Sequence, residues 1–150
     1  MNSTVDALKN LYLRDLDRLE AEINAYKNEE DLWKISGDII NSPGNLVLHI
    51  CGNLKHFIGA IIGKTGYIRN RSDEFNLKGL SRKELIRNIS DTKTMLNTTL
   101  GNMDPELLDH AYPLEVFGSP MSYAFFLIHL NGHLNWHMGH VNYHRRILGY

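Results

Sequence analysis

Apolar residues recur at helical spacing in four separate stretches of this chain, and nowhere alternate convincingly as they do in a half-buried strand. In residues 4–27, Leu8, Leu11, Leu16, Leu19 and Ile23 follow a period near 3.6 with acids and bases between them, which predicts a long amphipathic helix. Residues 28–41 carry clustered charge, a glycine and no sustained period; they read as a connection with local turns, with Trp33 folded back onto the body. Ser42 then Pro43 is a helix start: a capping hydroxyl, followed by a residue whose missing N–H is not needed at the first helical position. The second helix is predicted over 43–62, through Leu46, His49, Ile50, Asn53, Phe57 and Ile61, and ends at Gly63. After a loop over 64–80, Ser81 and Glu84 form a capping box that opens a third helix ending near Leu100 and Gly101. Residues 102–118 suit a short helical turn and an irregular crossing, and Ser119-Pro120 repeats the start signal before a last helix over 120–148.

Four long helices and connections of 14–20 residues predict an all-α fold, a four-helix bundle with long crossover connections, in one domain spanning residues 1–150. The last helix holds five of the eight histidines, His129, His133, His137, His140 and His144, at spacings of four, four, three and four. At 100° per residue all five share an arc about 80° wide. Asn131, Asn135, Asn142 and Arg146 lie on the far side of the wheel, so the imidazoles are expected to face the interior, flanked by Leu130, Leu134 and Val141 on one side and Phe125, Trp136 and Tyr143 on the other. Burying that many polar rings without partners costs about 1–3 kcal/mol each, so something must satisfy them. A bound metal does so most simply; bonds to carbonyls, water and one another are the alternative.

Composition narrows the picture further. Hydrophobic content of 43%, charge of 22% and a net charge of −1 describe an ordinary globular domain without the basic field that binds nucleic acid. The N-terminal segment carries acids where a secretory signal has its apolar core, and no apolar run approaches the ~20 residues of a membrane span, so a cytoplasmic address and no membrane partner are expected. The single cysteine, Cys51, excludes an internal disulfide and a paired-thiolate zinc site.

Histidines four apart on a helix place two imidazoles on one face, one turn apart, a common way to give a metal two nitrogen ligands. The pattern occurs twice with overlap, as His129-LNG-His133 and His133-LNW-His137, and a third ligand must come from another helix. His49, mid-helix among Leu46, Val47, Leu48 and Ile50, is the best candidate, and Asn53 one turn later is placed to hold a ligand or substrate. His56 is about 10 Å further along the axis than His49, too far to share one ion. His110 falls in a connection, and Cys51, about 200° round the helix from His49, reads as a small buried hydrophobe. The run RNRSDEF over 69–75 reads by default as a solvated charged loop, although two arginines at the mouth of a site suit an anionic substrate.

The stretch HLNGHLNWHMGHVNYHRRIL resembles the last helix of the DinB-like (DinB/YfiT) superfamily of four-helix bundles, and NSPGNLVLHICGNLKHFIGAIIG with its following RxRxxEF-type loop resembles that superfamily's second helix. The resemblance implies a divalent-metal site whose ligands are His49, His133 and His137, and a homodimer formed by packing helices across a two-fold axis. Where many relatives carry an Arg-Gly-Gln run, this chain reads Met138-Gly139-His140, which makes His140 a candidate proton carrier, with His129 or a tyrosine as the other choices. Three neutral imidazoles leave an open coordination position, the mark of a catalytic site, and favour zinc or nickel. By resemblance the expected activity is a transferase that activates a low-molecular-weight thiol as cosubstrate for attack on an electrophile. A metal-dependent hydrolase and a non-catalytic, stress-associated metal-binding dimer are the alternatives. A haem is disfavoured by the absence of CxxCH.

Overall fold

The computed structural model describes residues 3–150. Four long helices make the body: α1 (Thr4–Asn24), α2 (Pro43–Leu54), α4 (Arg82–Gly101) and α5 (Tyr123–Ile147), with a short α3 (Arg71–Asn76) in the connection between α2 and α4. No strand forms among the described residues, only an isolated bridge between Ala111 and Ser122. The predicted starts hold at α2, where Ser42 caps Asn45 N–H ahead of Pro43, and at α4, where Ser81 and Glu84 form the reciprocal capping box. A second capping box, Ser3 with Asp6, opens α1.

Two boundaries differ from expectation. The α-helix of α2 ends at Leu54 and continues as a π-helical turn over Lys55–Ala60, with Gly63 N–H donating to Ile58 O in the five-residue register. Ser119-Pro120 does not start the last helix; Ser122 caps it instead, accepting from Phe125 N–H. Strand-like pairing holds residue 120 outside the helix, because Tyr112 N–H donates to Met121 O and Tyr123 N–H donates to His110 O. Within the first connection, Glu29–Trp33 forms a 3-10 turn, and Trp33 does fold back: its indole lies against Gly44 and its Nε1–H donates to Leu80 O at 3.0 Å.

α1 and α2 each pack against both α4 and α5, so α1 faces α2 across the bundle diagonal. Connections of that reach explain the long crossovers. The core runs through Leu16, Leu19, Ile50, Leu54, Leu85, Ile89, Leu130 and Leu134, all essentially inaccessible to water. Asp15 is buried on α1 and ties α5 to it by accepting from Asn131 Nδ2 and Asn135 Nδ2, while Asn142 Nδ2 donates to Glu22. The asparagine stripe of α5 therefore faces α1, not solvent.

That contact rotates the expected helix wheel. The core centres on Leu127, Leu130, Leu134 and Val141; the asparagines form one shoulder against α1 and the histidines the other against α2. Phe125, Trp136 and Tyr143, expected beside the interior, are instead exposed.

Candidate metal centre

Because α2 and α5 are neighbours, His49 meets the histidine shoulder of α5 across their interface. His49 Nε2 lies 3.1 Å from His133 Nε2, and His137 Nε2 lies 3.1 Å from the same atom. One ring nitrogen from each of the three falls within 4.8 Å of the other two. In a tetrahedral site with bonds of 2.0–2.1 Å, ligand nitrogens stand roughly 3.4 Å apart, so this trio fits a single small ion. His137 Nδ1 is buried without a partner among the described residues, which leaves Nε2 as the functional side of that ring.

The expected ligand set is thus brought together, and the other histidines are separated from it. His144 is buried and satisfied: its Nε2 faces Lys34 O at 3.0 Å, and its Nδ1 faces the Tyr26 hydroxyl at 2.9 Å. A carbonyl only accepts, so Nε2 carries a proton and donates it to Lys34 O, while the Tyr26 hydroxyl that meets Nδ1 also donates to Val141 O at 3.1 Å. His129 is exposed and stacks on Phe126, with Phe117 at its edge. His140 is exposed, edge-on to Trp136, with its ring centre 5.8 Å from that of His137. It is near the trio without joining it. His110 lies in the connection, and His56 packs against Phe57.

Loop 69–75 is where the structure departs most from the solvated reading. Glu74 is buried, and its Oε2 lies 2.8 Å from His49 Nδ1. Arg69 grips the same carboxylate with two bonds, Nε to Oε1 at 2.6 Å and Nη2 to Oε2 at 3.0 Å. Burial raises the pKa of the Glu74 carboxyl, but the bonds from His49 and Arg69 outweigh it and hold the group below its ordinary value. An ionised carboxylate accepts only, so His49 carries its proton on Nδ1 and turns the Nε2 lone pair toward His133. Phe75 packs on the His49 ring with centres 4.9 Å apart.

Two residues of α2 let α3 come this close. Asn45 donates from Nδ2 to Glu74 O and Leu77 O, both at 2.9 Å, which ties down the end of α3. Gly52 leaves space for the carboxylate, since a Cβ there would overlap Glu74 Oε1 and sit 2.8 Å from its Cδ. Sequence reasoning missed Asn45, Gly52 and Glu74. The available signal was a carboxylate five residues after an arginine in a loop otherwise read as solvated.

Electrostatics favour the neutral, metal-ready form of the α5 ligands. Burial, then the neighbouring imidazoles, push His133 down to about 3 and His137 down to about 4. Cys51 is fully buried, and burial pushes its thiol up to about 11, so it supplies no thiolate here.

Two cavities flank the trio. One of about 280 Å³ is bounded by His49, His133, Asn53, Arg69, Arg71 and His129. Asn53 is buried in its wall, and its Oδ1 has no partner among the described residues. The other, of about 400 Å³, is bounded by His137, His140, Leu46, Ile39, Ile40 and Tyr143, a mostly apolar lining. Among the described residues, no helix is long and apolar enough to cross a membrane.

Comparison with known proteins places this architecture. No family model matches the chain, and no curated protein matches it. Among solved structures it is similar to a conserved protein from Enterococcus faecalis, with TM-score 0.77, 12% identity and 97% of each chain covered. It is also similar to a DinB-like protein from Bacillus cereus, with TM-score 0.74, 17% identity, and 99% of this chain and 95% of that one covered. With its helix order and with His49, His133 and His137 gathered between α2 and α5, this chain has a DinB-like all-α fold carrying a three-histidine group suited to a metal ion.

Proposed function

We propose that the protein is a divalent-metal-dependent transferase that joins a low-molecular-weight thiol, supplied from outside, to an apolar electrophile. The observation that carries this reading is the placement of three convergent imidazole nitrogens between two cavities of different character. A two-substrate reaction needs two such compartments, whereas hydrolysis needs one compartment and water. His49, His133 and His137 hold the ion, zinc or nickel by ligand type. When bound, such an ion supplies Lewis acidity and lowers the pKa of a thiol or water beside it.

The remaining work falls to this chain's own side chains. Glu74, fixed by Arg69, orients His49 and raises its basicity as a ligand. Asn53 and Arg71 receive the polar, anionic end of the thiol cosubstrate in the smaller cavity: the amide offers hydrogen bonds and the guanidinium a positive charge. Ile39, Ile40 and Leu46 bind the electrophile's apolar part and thin the water around it. His140, at the rim of that cavity, accepts the proton that the thiol loses and returns it to solvent. Cys51 is not the nucleophile, because it is buried and protonated.

Cobalt-substituted protein titrated with low-molecular-weight thiols tests the reading. A thiol-dependent change in the visible spectrum, followed by a thioether whose mass is that of the thiol plus an alkyl halide electrophile less the hydrogen halide released as the C–S bond forms and the carbon–halogen bond breaks, is the expected outcome. Hydrolysed ester or amide without thiol dependence would make the protein a hydrolase. Stoichiometric metal with neither response would make it a non-catalytic metal-binding protein.

A further inference from the structure

The larger cavity beside the trio has two fixed walls and one that is not fixed. Pro43 and Leu46 stand on α2, and His137, His140, Tyr143 and Ile147 on α5, held by the hydrogen-bond ladders of their helices and by the ties of α5 to α1. The third wall, residues 38–41, belongs to the connection between Trp33 and α2. Residues 35–40 are all exposed, yet half of them are isoleucines: Ile35 at 56%, Ile39 at 36% and Ile40 at 82%.

Both ends of this segment are anchored and its middle is not. At one end the Trp33 indole lies against Gly44, and Lys34 O accepts from His144 Nε2 at 3.0 Å. At the other, buried Ser42 caps Asn45 N–H, and Asn45 is tied in turn to Glu74 O. Between the anchors, the one hydrogen bond among the described residues runs from Ile39 N–H to Ser36 O at 3.1 Å, and it closes a turn within the segment itself. Gly37 makes that turn with a φ of +57°, and a Cβ there would meet nothing within 4 Å, so the tip stands clear of the body. A segment with exposed backbone and few packed contacts moves with little free energy, and its hinges fall at its ends, beside Lys34 and Ser42.

We infer that residues 35–41 form a strap that swings inward over an apolar molecule held in the larger cavity, turning Ile39 and Ile40 from solvent onto it. Ligand pockets of about 300–1,000 Å³ bury roughly 70–90% of their occupant. This one, of about 400 Å³, is bounded by Ile40, Tyr143 and Ile147, each 67–82% exposed, so as it stands it leaves one side of an occupant open. The two helices cannot close that gap without breaking their packing, whereas the strap closes it by rotation at its ends. The driving force is the burial of isoleucine side chains that otherwise meet water, and it exists only when an apolar surface is there to receive them. An uncharged, apolar occupant is therefore selected, and Asp38 on the strap disfavours an anion. Closure rests on the proposed function only in that an apolar molecule occupies this cavity; it needs neither thiol nor metal.

Amide hydrogen exchange on the full chain in chelator, without and with saturating N-phenyl-1-naphthylamine, tests it. This uncharged probe brightens in apolar surroundings, so fluorescence reports its binding in the same samples. The expected result is saturable binding, with exchange across residues 35–41 slowed by about tenfold or more and exchange across the equally exposed residues 64–68 unchanged. Ile40→Asp should retain the helical circular dichroism, weaken probe binding by about tenfold or more and abolish the slowing. Ile68→Asp, 89% exposed and outside the strap, should change neither. Bound probe with unchanged exchange at 35–41 overturns the proposal, as does slowing that is equal at 64–68 or that Ile40→Asp retains. Absence of saturable binding overturns it as well. A chain that closes on the probe, but whose cobalt form ignores every thiol, loses the transferase reading and keeps the strap.

Discussion

Glu74 Oε2 stands 2.8 Å from His49 Nδ1, and the contact exists because residue 52, between His49 and the end of α2, has no side chain. The carboxylate decides which nitrogen of His49 carries a proton and therefore which one is offered to a metal. Glu74→Gln retains the shape but not the charge, so metal affinity should fall by about 10- to 100-fold while saturating stoichiometry is kept. Gly52→Ala should lose a similar factor by displacing the carboxylate, and should also destabilise the fold by about 1–3 kcal/mol through overpacking. Calorimetric titration with zinc or nickel checks both; unchanged affinity in Glu74→Gln would remove the orienting role assigned to it.

The three-histidine group makes a selective prediction about stoichiometry. His49→Ala, His133→Ala and His137→Ala should each lose near-stoichiometric metal on elemental analysis of untagged protein, whereas His110→Ala and His144→Ala should keep it. His144→Ala should instead lose about 1–3 kcal/mol of stability in urea, because it leaves Lys34 O and the Tyr26 hydroxyl short of a partner. Equal metal loss in all five variants would mean non-specific binding.

Acid should weaken the metal-free protein earlier than ordinary carboxylate titration does. His133 and His137 hold protons only below about 3 and about 4 when folded, against about 6.5 when unfolded. Between those limits the unfolded chain binds more protons, so stability is full above about pH 6.5 and falls as pH drops toward 4. Glu74, held below its ordinary value, adds a loss of the same sign at lower pH. Urea midpoints measured in chelator from pH 8 to pH 4 should decline from near pH 6.5. A midpoint unchanged down to pH 5 would contradict the burial of these rings as neutral bases.

Cys51 should resist thiol reagents. Buried, with its thiol pushed up to about 11, it should react with a disulfide reagent at pH 8 at least about a hundredfold more slowly than in urea-unfolded protein. Rapid modification of the folded chain would return Cys51 to consideration as an internal nucleophile.

What could be read in advance follows interaction range. The period of Leu8 to Ile23, the Ser42-Pro43 start and the Ser81–Glu84 box depend on neighbours three or four residues apart, and each was legible in the linear order. So was the pairing of His133 with His137, since one helical turn brings them together wherever the helix lies. The direction in which α5 faces was not legible: Asn135 and Trp136 are adjacent in sequence, yet Asn135 is turned onto Asp15, 120 residues away, and Trp136 onto solvent. Polarity alone suggested the reverse, because a buried carboxylate on α1 is a fact about a partner distant in sequence. His49 meeting His133 across 84 residues, and Glu74 entering the space at Gly52, likewise needed the bundle to close. Sequence by itself determined the helices, their caps and the spacing of the α5 ligands; tertiary structure decided which shoulder of α5 met α2, and so which of eight histidines became a site.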